Sequence, residues 1–573
     1  MRRGWVGLTA ILLLAACAPA RPAATEPPVP GAGQQSEAPR APRGTIHVAW
    51  GQEPNTLAGK FANTGATAQA ELSLTFNSAL AYVAPDGKAV PQIARELPSQ
   101  ANGSWAVNPD GTMATTYRLR ENAKWHDGAP LTARDLAFTY RVYSDPEIAV
   151  ARREPESFMS AVEAVDDHTL AIAWKQPYYG AGSLRYQQMD PLPRHLLEER
   201  YLTDKASFLN GPEWTTSFVG SGPFKLERWD PGAMVVARAF DDWVLGPPKA
   251  AALEIRFITD ANTIVAGLLA GELDVTGFPW VSPTHSAAAR DRWEGSGLGR
   301  LVISESRMQH LDFQFKEVPN WQPAIADLRV RRALMHATDR QSLTELINES
   351  IGGAVADAFI LRSDPSFAAV DPVLTRYPYD QRQALALFAE AGWTRPTPDG
   401  LLTGPGGQTL RMEFWSAASS DGQKEATIIV DSWRGAGIDA SIFVVPQARS
   451  GDGEFRASFP TVNPSNRPIL PENFIWTTIN VSAPANRFTA SNRGAYSDPE
   501  IDNLASGVLR ALGDQPVRQA QAALHKRFSE TLGTGPLYYP ADIMLVRNNV
   551  KGPLGHYTYP AHSWNTFEWE IAS

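Results

Sequence analysis

Three short clusters in this 573-residue chain carry residue types that could do chemistry: His126-Asp127-Gly128, Asp166-Asp167-His168 and Gly220-Ser221-Gly222. A neighbouring histidine and carboxylate could share a proton, two aspartates with a histidine could hold a metal ion, and a glycine-rich run could cradle a phosphate. Each has a plainer reading in its context. Tyr117 and Leu119 alternate with Arg118 and Arg120 as in a strand, and His126-Asp127-Gly128 closes that run with a turn. Helix-start residues follow at once: Thr132 with Asp135 fits a capping box, and Leu131 with Leu136 fits a hydrophobic staple. The turn therefore joins a strand to a capped helix that carries Leu136, Tyr140 and Tyr143 on one face. Asp166-Asp167-His168 sits between two strand-like runs within Ala161–Lys175, where aspartates suit a hairpin turn. The glycine cluster lacks the G-x-x-x-x-G-K-[ST] order and runs into a strand over Phe224–Trp229, not a helix. Arg329, Arg331 and Arg332 could form an anion patch, but on a helix with Val330, Ala333 and Leu334 they read as a solvated or salt-bridged face.

Catalytic chemistry finds little else to use. There is no G-x-S-x-G, H-E-x-x-H or P-loop pattern, and the single cysteine is Cys17. The ten histidines are scattered, with His556 and His562 the closest approach to metal-ligand spacing, in a loop-like tail. No catalytic residue, metal or cofactor is expected. Paired carboxylates for glycoside hydrolysis meet only in space, so a secreted hydrolase stays as the alternative from another class. A net charge of −9 argues against nucleic acid, which calls for a basic stripe. With 43% hydrophobic and 20% charged residues, the chain can bury more than one core, and two or three lobes are expected.

The N-terminus reads MRRGWVGLTAILLLAAC: two arginines, a short apolar run from Trp5 to Ala16, and Leu14-Ala15-Ala16-Cys17. The last four residues resemble a bacterial lipobox, in which the cysteine is acylated and becomes the new N-terminus. An ordinary signal peptide with a chance cysteine is the alternative. Residues 18–43 hold seven prolines and no apolar period, the composition of a disordered tether. The folded body begins near Gly44 with a strand, Thr45–Trp50.

Several blocks then follow in a fixed order. They are the stretch Tyr117–Tyr140, Val90-Pro91-Gln92-Ile93-Ala94, Pro191–Leu197, Gly220–Phe224, Gly271–Val275, Asp327–Arg340, and the helix pattern from Tyr379 to Trp393. In these blocks the chain resembles the family 5 extracytoplasmic solute-binding proteins, which include oligopeptide-, dipeptide- and nickel-binding receptors of ABC importers. The resemblance runs from Gly44 to near the C-terminus. It implies a two-lobed α/β fold of the class II periplasmic-binding-protein type with an extra domain and a ligand cleft between the lobes. Residues 44–80, 216–311 and 533–573 would form lobe I, 81–215 the extra domain, and 312–532 lobe II. The implied partners are an oligopeptide-like or other small polar solute, a membrane permease, and the membrane itself through the lipid on Cys17, with the body a monomer outside the cytoplasm.

The ligand is less well specified. Peptide-binding members carry a loop resembling W-x-x-D-x-x-D-P, whose aspartate pairs with the peptide ammonium. The equivalent stretch here is Phe455–Pro464, and no aspartate occurs between Asp452 and Asp498; Glu454 and Glu472 are the acids in that interval. Glu472 could substitute, or the ligand lacks a free amine, as an oligosaccharide or a capped peptide does. Trp50, Trp280, Trp415 and Trp476 could stack on a sugar or an apolar side chain. With Glu53, His310 and Asn463 they complete the expected ligand-binding set. Nickel finds no histidine cluster to support it. A receptor feeding a sensor instead of a permease would share this fold.

Overall fold

Two chain segments carry the polypeptide between its two large sheets. The computed structural model describes residues 43–573 apart from 58–59, 62–65, 149, 151–153, 278, 398–399, 470–473, 557–560 and 573. Cys17, Glu472 and the tether up to Pro42 lie outside the described residues. Arg43, assigned to the tether from the sequence, is instead pinned to the body: it donates to the Pro248 carbonyl at 2.9 Å and to Asp241 at 2.7 Å.

The larger sheet has seven strands in the order Gly299–Ser304, Asp542–Arg547, Val275–Gly277, Thr45–Trp50, Ala252–Phe257, Met234–Ala239 and Phe224–Asp230. Thr45–Trp50 runs parallel to both of its neighbours, as a strand between crossover connections must. Ile46, Val48, Phe224, Val235, Ile255, Val546 and Trp569 pack into one core on it. The second sheet has six strands in the order Ala354–Val355, Thr534–Tyr539, Arg307–Phe313, Val462–Pro468, Arg411–Ser416 and Asp439–Val444. The helices Leu328–His336, Gln381–Glu390 and Ser420–Gly435 supply its core with Val330, Leu334, Phe388, Ile429 and Trp433. A four-stranded antiparallel sheet, Trp105–Val107, Met113–Arg118, Thr169–Trp174 and Met159–Asp166, makes a third layer with the helix Ala133–Ser144. Its hairpin turns at Asp167-His168, as the sequence predicts.

The links between the two large sheets are Glu305-Ser306, between strands ending at Ser304 and starting at Arg307, and Pro540-Ala541, between strands ending at Tyr539 and starting at Asp542. Ser306 Oγ donates to Asp542 Oδ2 at 2.5 Å, and the Ala541 amide donates to Asn348 Oδ1 at 2.8 Å. The two crossings are thus tied to each other and to the second sheet's helical layer.

The signature stretch folds as its chemistry dictates. Thr132 is the N-cap of Ala133–Ser144, and its amide donates to Asp135 Oδ2 at 2.8 Å. The other oxygen of Asp135 accepts from the Arg194 amide at 3.0 Å, so one carboxylate caps two helix starts. His126 is structural: its ring contacts the Gly222 carbonyl at 3.1 Å, and burial pushes its pKa down to about 4. Gly220 and Gly222 are glycines because a Cβ would meet the Phe76 backbone at 2.1 and 2.4 Å.

One sequence expectation changes. Arg331 is not on a solvated face; it is buried, and its guanidinium donates to the carbonyls of Leu532, Ile325, Ala326 and Thr531. Asp145 caps the C-terminus of Ala133–Ser144, whereas Asp498, also followed by a proline, caps the start of Pro499–Arg510. Ser420–Gly435 starts where Ser419 caps it by accepting from the Gly422 amide at 3.2 Å.

Candidate ligand-binding site

Arg411–Ser416 and Asp439–Val444 pair in parallel along their full lengths, but Val462–Pro468 joins Arg411–Ser416 through the single register pair Phe414–Val462. Beyond that pair the two strands no longer pair. A cavity of about 500 Å³ opens there. It lies at the carboxyl ends of parallel strands, where α/β sheets place ligands because the chain turns away on both sides. Pro283 from the seven-stranded side and Pro540-Ala541 at a crossing also line it, so the cavity sits at the boundary between the two sheets.

Part of the cavity lining is acidic. Asp421 and Glu425 project from the first turns of Ser420–Gly435. Glu425 is buried and accepts from Gln309 Nε2 at 2.8 Å on both oxygens and from the Tyr538 hydroxyl at 3.3 Å. Burial outweighs those bonds and pushes its pKa up to about 7. Another part is basic: Arg456, Arg467 and Arg493 all line the cavity. Asp312 stands behind them on the strand Arg307–Phe313. Burial pushes the Asp312 carboxyl up, yet His310, Arg467 and Arg493 together pull it below the usual value, so it stays ionised.

Of the residues expected from the sequence to contact ligand, Trp415 and Asn463 line this cavity. Trp415 Nε1 is already committed, donating to Glu413 at 2.7 Å, and its ring lies against Phe455 with centroids 4.7 Å apart. It offers the cavity an apolar surface, not a donor. Asn463 Nδ2 donates to the Pro464 carbonyl at 3.1 Å. The others are placed elsewhere. Trp50 is in the core of the seven-stranded sheet. Glu53 accepts from Trp229 Nε1 at 2.5 Å and the Gly232 amide at 2.8 Å, which ties the first loop to a hairpin turn. Trp280 packs on the backbone of Gly51. His310 is fully buried behind the cavity, 3.2 Å from Asp312. Trp476 belongs to a core with Phe359 and Phe528. Glu472 lies outside the described residues.

The sequence reading missed Glu425 and the three arginines. A signal for the arginines was present. Between Asp452 and Asp498 the chain holds Arg456, Arg467, Arg487 and Arg493 against Glu454 and Glu472, a local excess of positive charge in an acidic protein. Among the described residues there is no group of three or more His, Cys, Asp or Glu side chains that could hold a metal, and no helix long and apolar enough to cross a membrane.

Comparison with known proteins agrees with this architecture. The family model described as bacterial extracellular solute-binding proteins, family 5 middle, matches residues 97–482. The oligopeptide-binding protein AppA of Bacillus subtilis is 24% identical over 458 residues, covering 77% of this chain and 78% of AppA. The structure of that AppA in complex with a nonapeptide superposes with a TM-score of 0.73 at 20% identity, covering 93% of this chain and 100% of the other. NikZ from Campylobacter jejuni, in complex with Ni(L-His), superposes with a TM-score of 0.74 at 20% identity, covering 92% and 100%. The shared fold is therefore the two-lobed α/β architecture of periplasmic binding proteins. With two thirds of its length matched to the family model, this chain belongs to the family 5 bacterial extracellular solute-binding proteins.

Proposed function

We propose that this protein captures a small polar or peptide-like solute in the cavity between its two large sheets and hands it to an ABC permease. The observation that carries the reading is the placement of the cavity. About 500 Å³ lies within the ~300–1,000 Å³ usual for small-molecule sites. It opens at the carboxyl ends of parallel strands, beside two crossings about which the lobes can close on a ligand. Closure stores the ligand only if the closed state binds it more tightly, so residues of both lobes must reach it. In this reading, residues 44–80, 216–304 and 542–573 act as one lobe, 307–539 as the other, and 81–215 as an appended domain; the crossings at 305–306 and 540–541 move the lobe boundaries read from the sequence at 311/312 and 532/533. The protein acts as a monomer without turnover, held outside the cytoplasmic membrane by lipid on Cys17. Trp415 and Asn463 contact the solute. Glu425 and Gln309 bond to a polar group at the acidic part of the cavity.

Native mass spectrometry tests this reading. The protein purified without denaturation is compared with the same protein unfolded and refolded. A mass excess in the untreated sample alone is expected, and fragmentation then identifies the solute. Turnover of a solute by the purified protein would overturn the receptor reading in favour of a hydrolase.

A further inference from the structure

Buried arginines in this protein fall into two kinds. Arg331 donates to four carbonyls, and Arg340 donates to the carbonyls of Ala356, Pro536 and Tyr377 and to Asp357. Their forks are satisfied, as a structural guanidinium in a low-dielectric interior requires. Arg467 and Arg493 line the cavity, and among the described residues neither side chain donates a hydrogen bond to the protein. Nε and Nη2 of Arg467 and Nε of Arg493 are buried without a partner. Arg456, the third, reaches the Ser450 carbonyl at a long 3.4 Å.

The charges do not balance either. Arg456, Arg467 and Arg493 raise one another's electrostatic cost, and Asp312 is the acid that acts on all three. One Asp312 oxygen is 3.2 Å from His310, and the other has no partner. Arg307, which Arg467 also repels, has Asp542 and Glu71 as compensating acids of its own. Among the described residues, three guanidiniums against one carboxylate leave an uncompensated positive field in a sheltered site, where Coulomb interactions are weakly screened.

We propose that the solute carries an oxyanion, a carboxylate or a phosphoryl group, which seats on Arg456, Arg467 and Arg493 at the basic part of the cavity. The proposal rests on the reading of this cavity as the solute site and adds the charge of the ligand. An oxyanion supplies what the site lacks. Its lone pairs match the planar donor fork of arginine, and its charge offsets the mutual repulsion. An ammonium group finds only donors and positive charge there; it is directed to the carboxyls of Glu425 and Asp421, which also line the cavity. A solute with both groups lies along the cavity with its anion toward Arg467.

The test uses the full protein, freed of its co-purified solute by unfolding and refolding, and follows tryptophan fluorescence and calorimetry at constant ionic strength. The probes are inorganic phosphate, succinate and, as a cationic control, propylammonium chloride. Saturable binding of phosphate or succinate is expected, about tenfold or more weaker in Arg467→Gln and Arg493→Gln, the loss of one charge-assisted bond pair. Arg467→Lys should recover part of it. Preference for phosphate or for succinate assigns the oxyanion as phosphoryl or carboxylate. The unliganded Gln variants should melt no lower than wild type, since each removes a repelling charge, and this separates lost binding from lost folding. Anion binding unchanged in both variants, or no saturable binding of either anion by wild type, overturns the proposal. A co-purified solute that proves neutral or purely cationic also overturns it while leaving the receptor reading intact. Turnover, by contrast, would remove the receptor reading itself.

Discussion

The Glu425 carboxyl gives the sharpest quantitative test of the cavity's electrostatics. It is buried beneath the cavity, and its pKa is raised from 4.5 to about 7 because burial disfavours the charged form more than Gln309 and Tyr538 restore it. A group whose folded pKa is raised supports the fold fully below its unfolded pKa, and that support is lost as pH rises through the folded value. The window here is pH 4.5 to about 7. Integrating proton linkage over it, the raised Glu425 pKa costs the fold about 1 kcal/mol at pH 5, where the carboxyl holds a proton the unfolded chain would release, and about 3 kcal/mol at pH 8, relative to a group that does not titrate. Glu425→Gln keeps the shape and an oxygen that can accept from Gln309, and it has no charge to desolvate. For a body of this size the entropy of unfolding is on the order of 1 kcal/mol per degree. The variant should therefore melt about 1 °C above wild type at pH 5 and about 3 °C above it at pH 8. Differential scanning calorimetry at the two pH values measures the difference directly. An equal shift at both, or a variant less stable than wild type at pH 8, would refute the reasoning and mean that Glu425 is stabilised as a carboxylate.

Other substitutions test separate parts of the argument. Trp415→Ala should weaken binding of the co-purified solute, because the ring forms a cavity wall, whereas Trp476→Ala should lower the melting temperature through lost core packing, a cost of about 3–5 kcal/mol, with solute affinity per folded molecule unchanged. Arg331→Met should cost about 3 kcal/mol or more in chemical denaturation, since four buried carbonyls lose a charged donor. Gly222→Ala should sharply reduce soluble yield at 37 °C, because its Cβ would lie 2.4 Å from the Phe76 carbonyl carbon and backbone must move. Cys17→Ser should shift the protein from the membrane fraction to the soluble extracytoplasmic fraction, as read by immunoblot, if Cys17 carries the lipid anchor.

Local chemistry determined much of this protein without help from the fold. The Thr132 cap with Asp135 and the Asp167-His168 hairpin turn are each set by a few adjacent residues, and each lies where the sequence places it. Strand patterns such as Thr45–Trp50 are legible for the same reason, because period-two burial is a property of consecutive residues. The order of such blocks was enough to place the chain in its family. Burial and convergence were decided only in three dimensions. Arg331 reads as a surface residue until the ends of two distant segments bring Ile325 and Leu532 carbonyls to it. Trp50 and Trp476 have the composition of ligand contacts and the location of core, because aromatic surface serves either purpose and only packing chooses. Arg456, Arg467 and Arg493 come from a short helix, a strand and a loop, and Asp312 from a strand far earlier in the chain. Their meeting depends on which strands neighbour one another in the six-stranded sheet, and no spacing along the chain encodes that order.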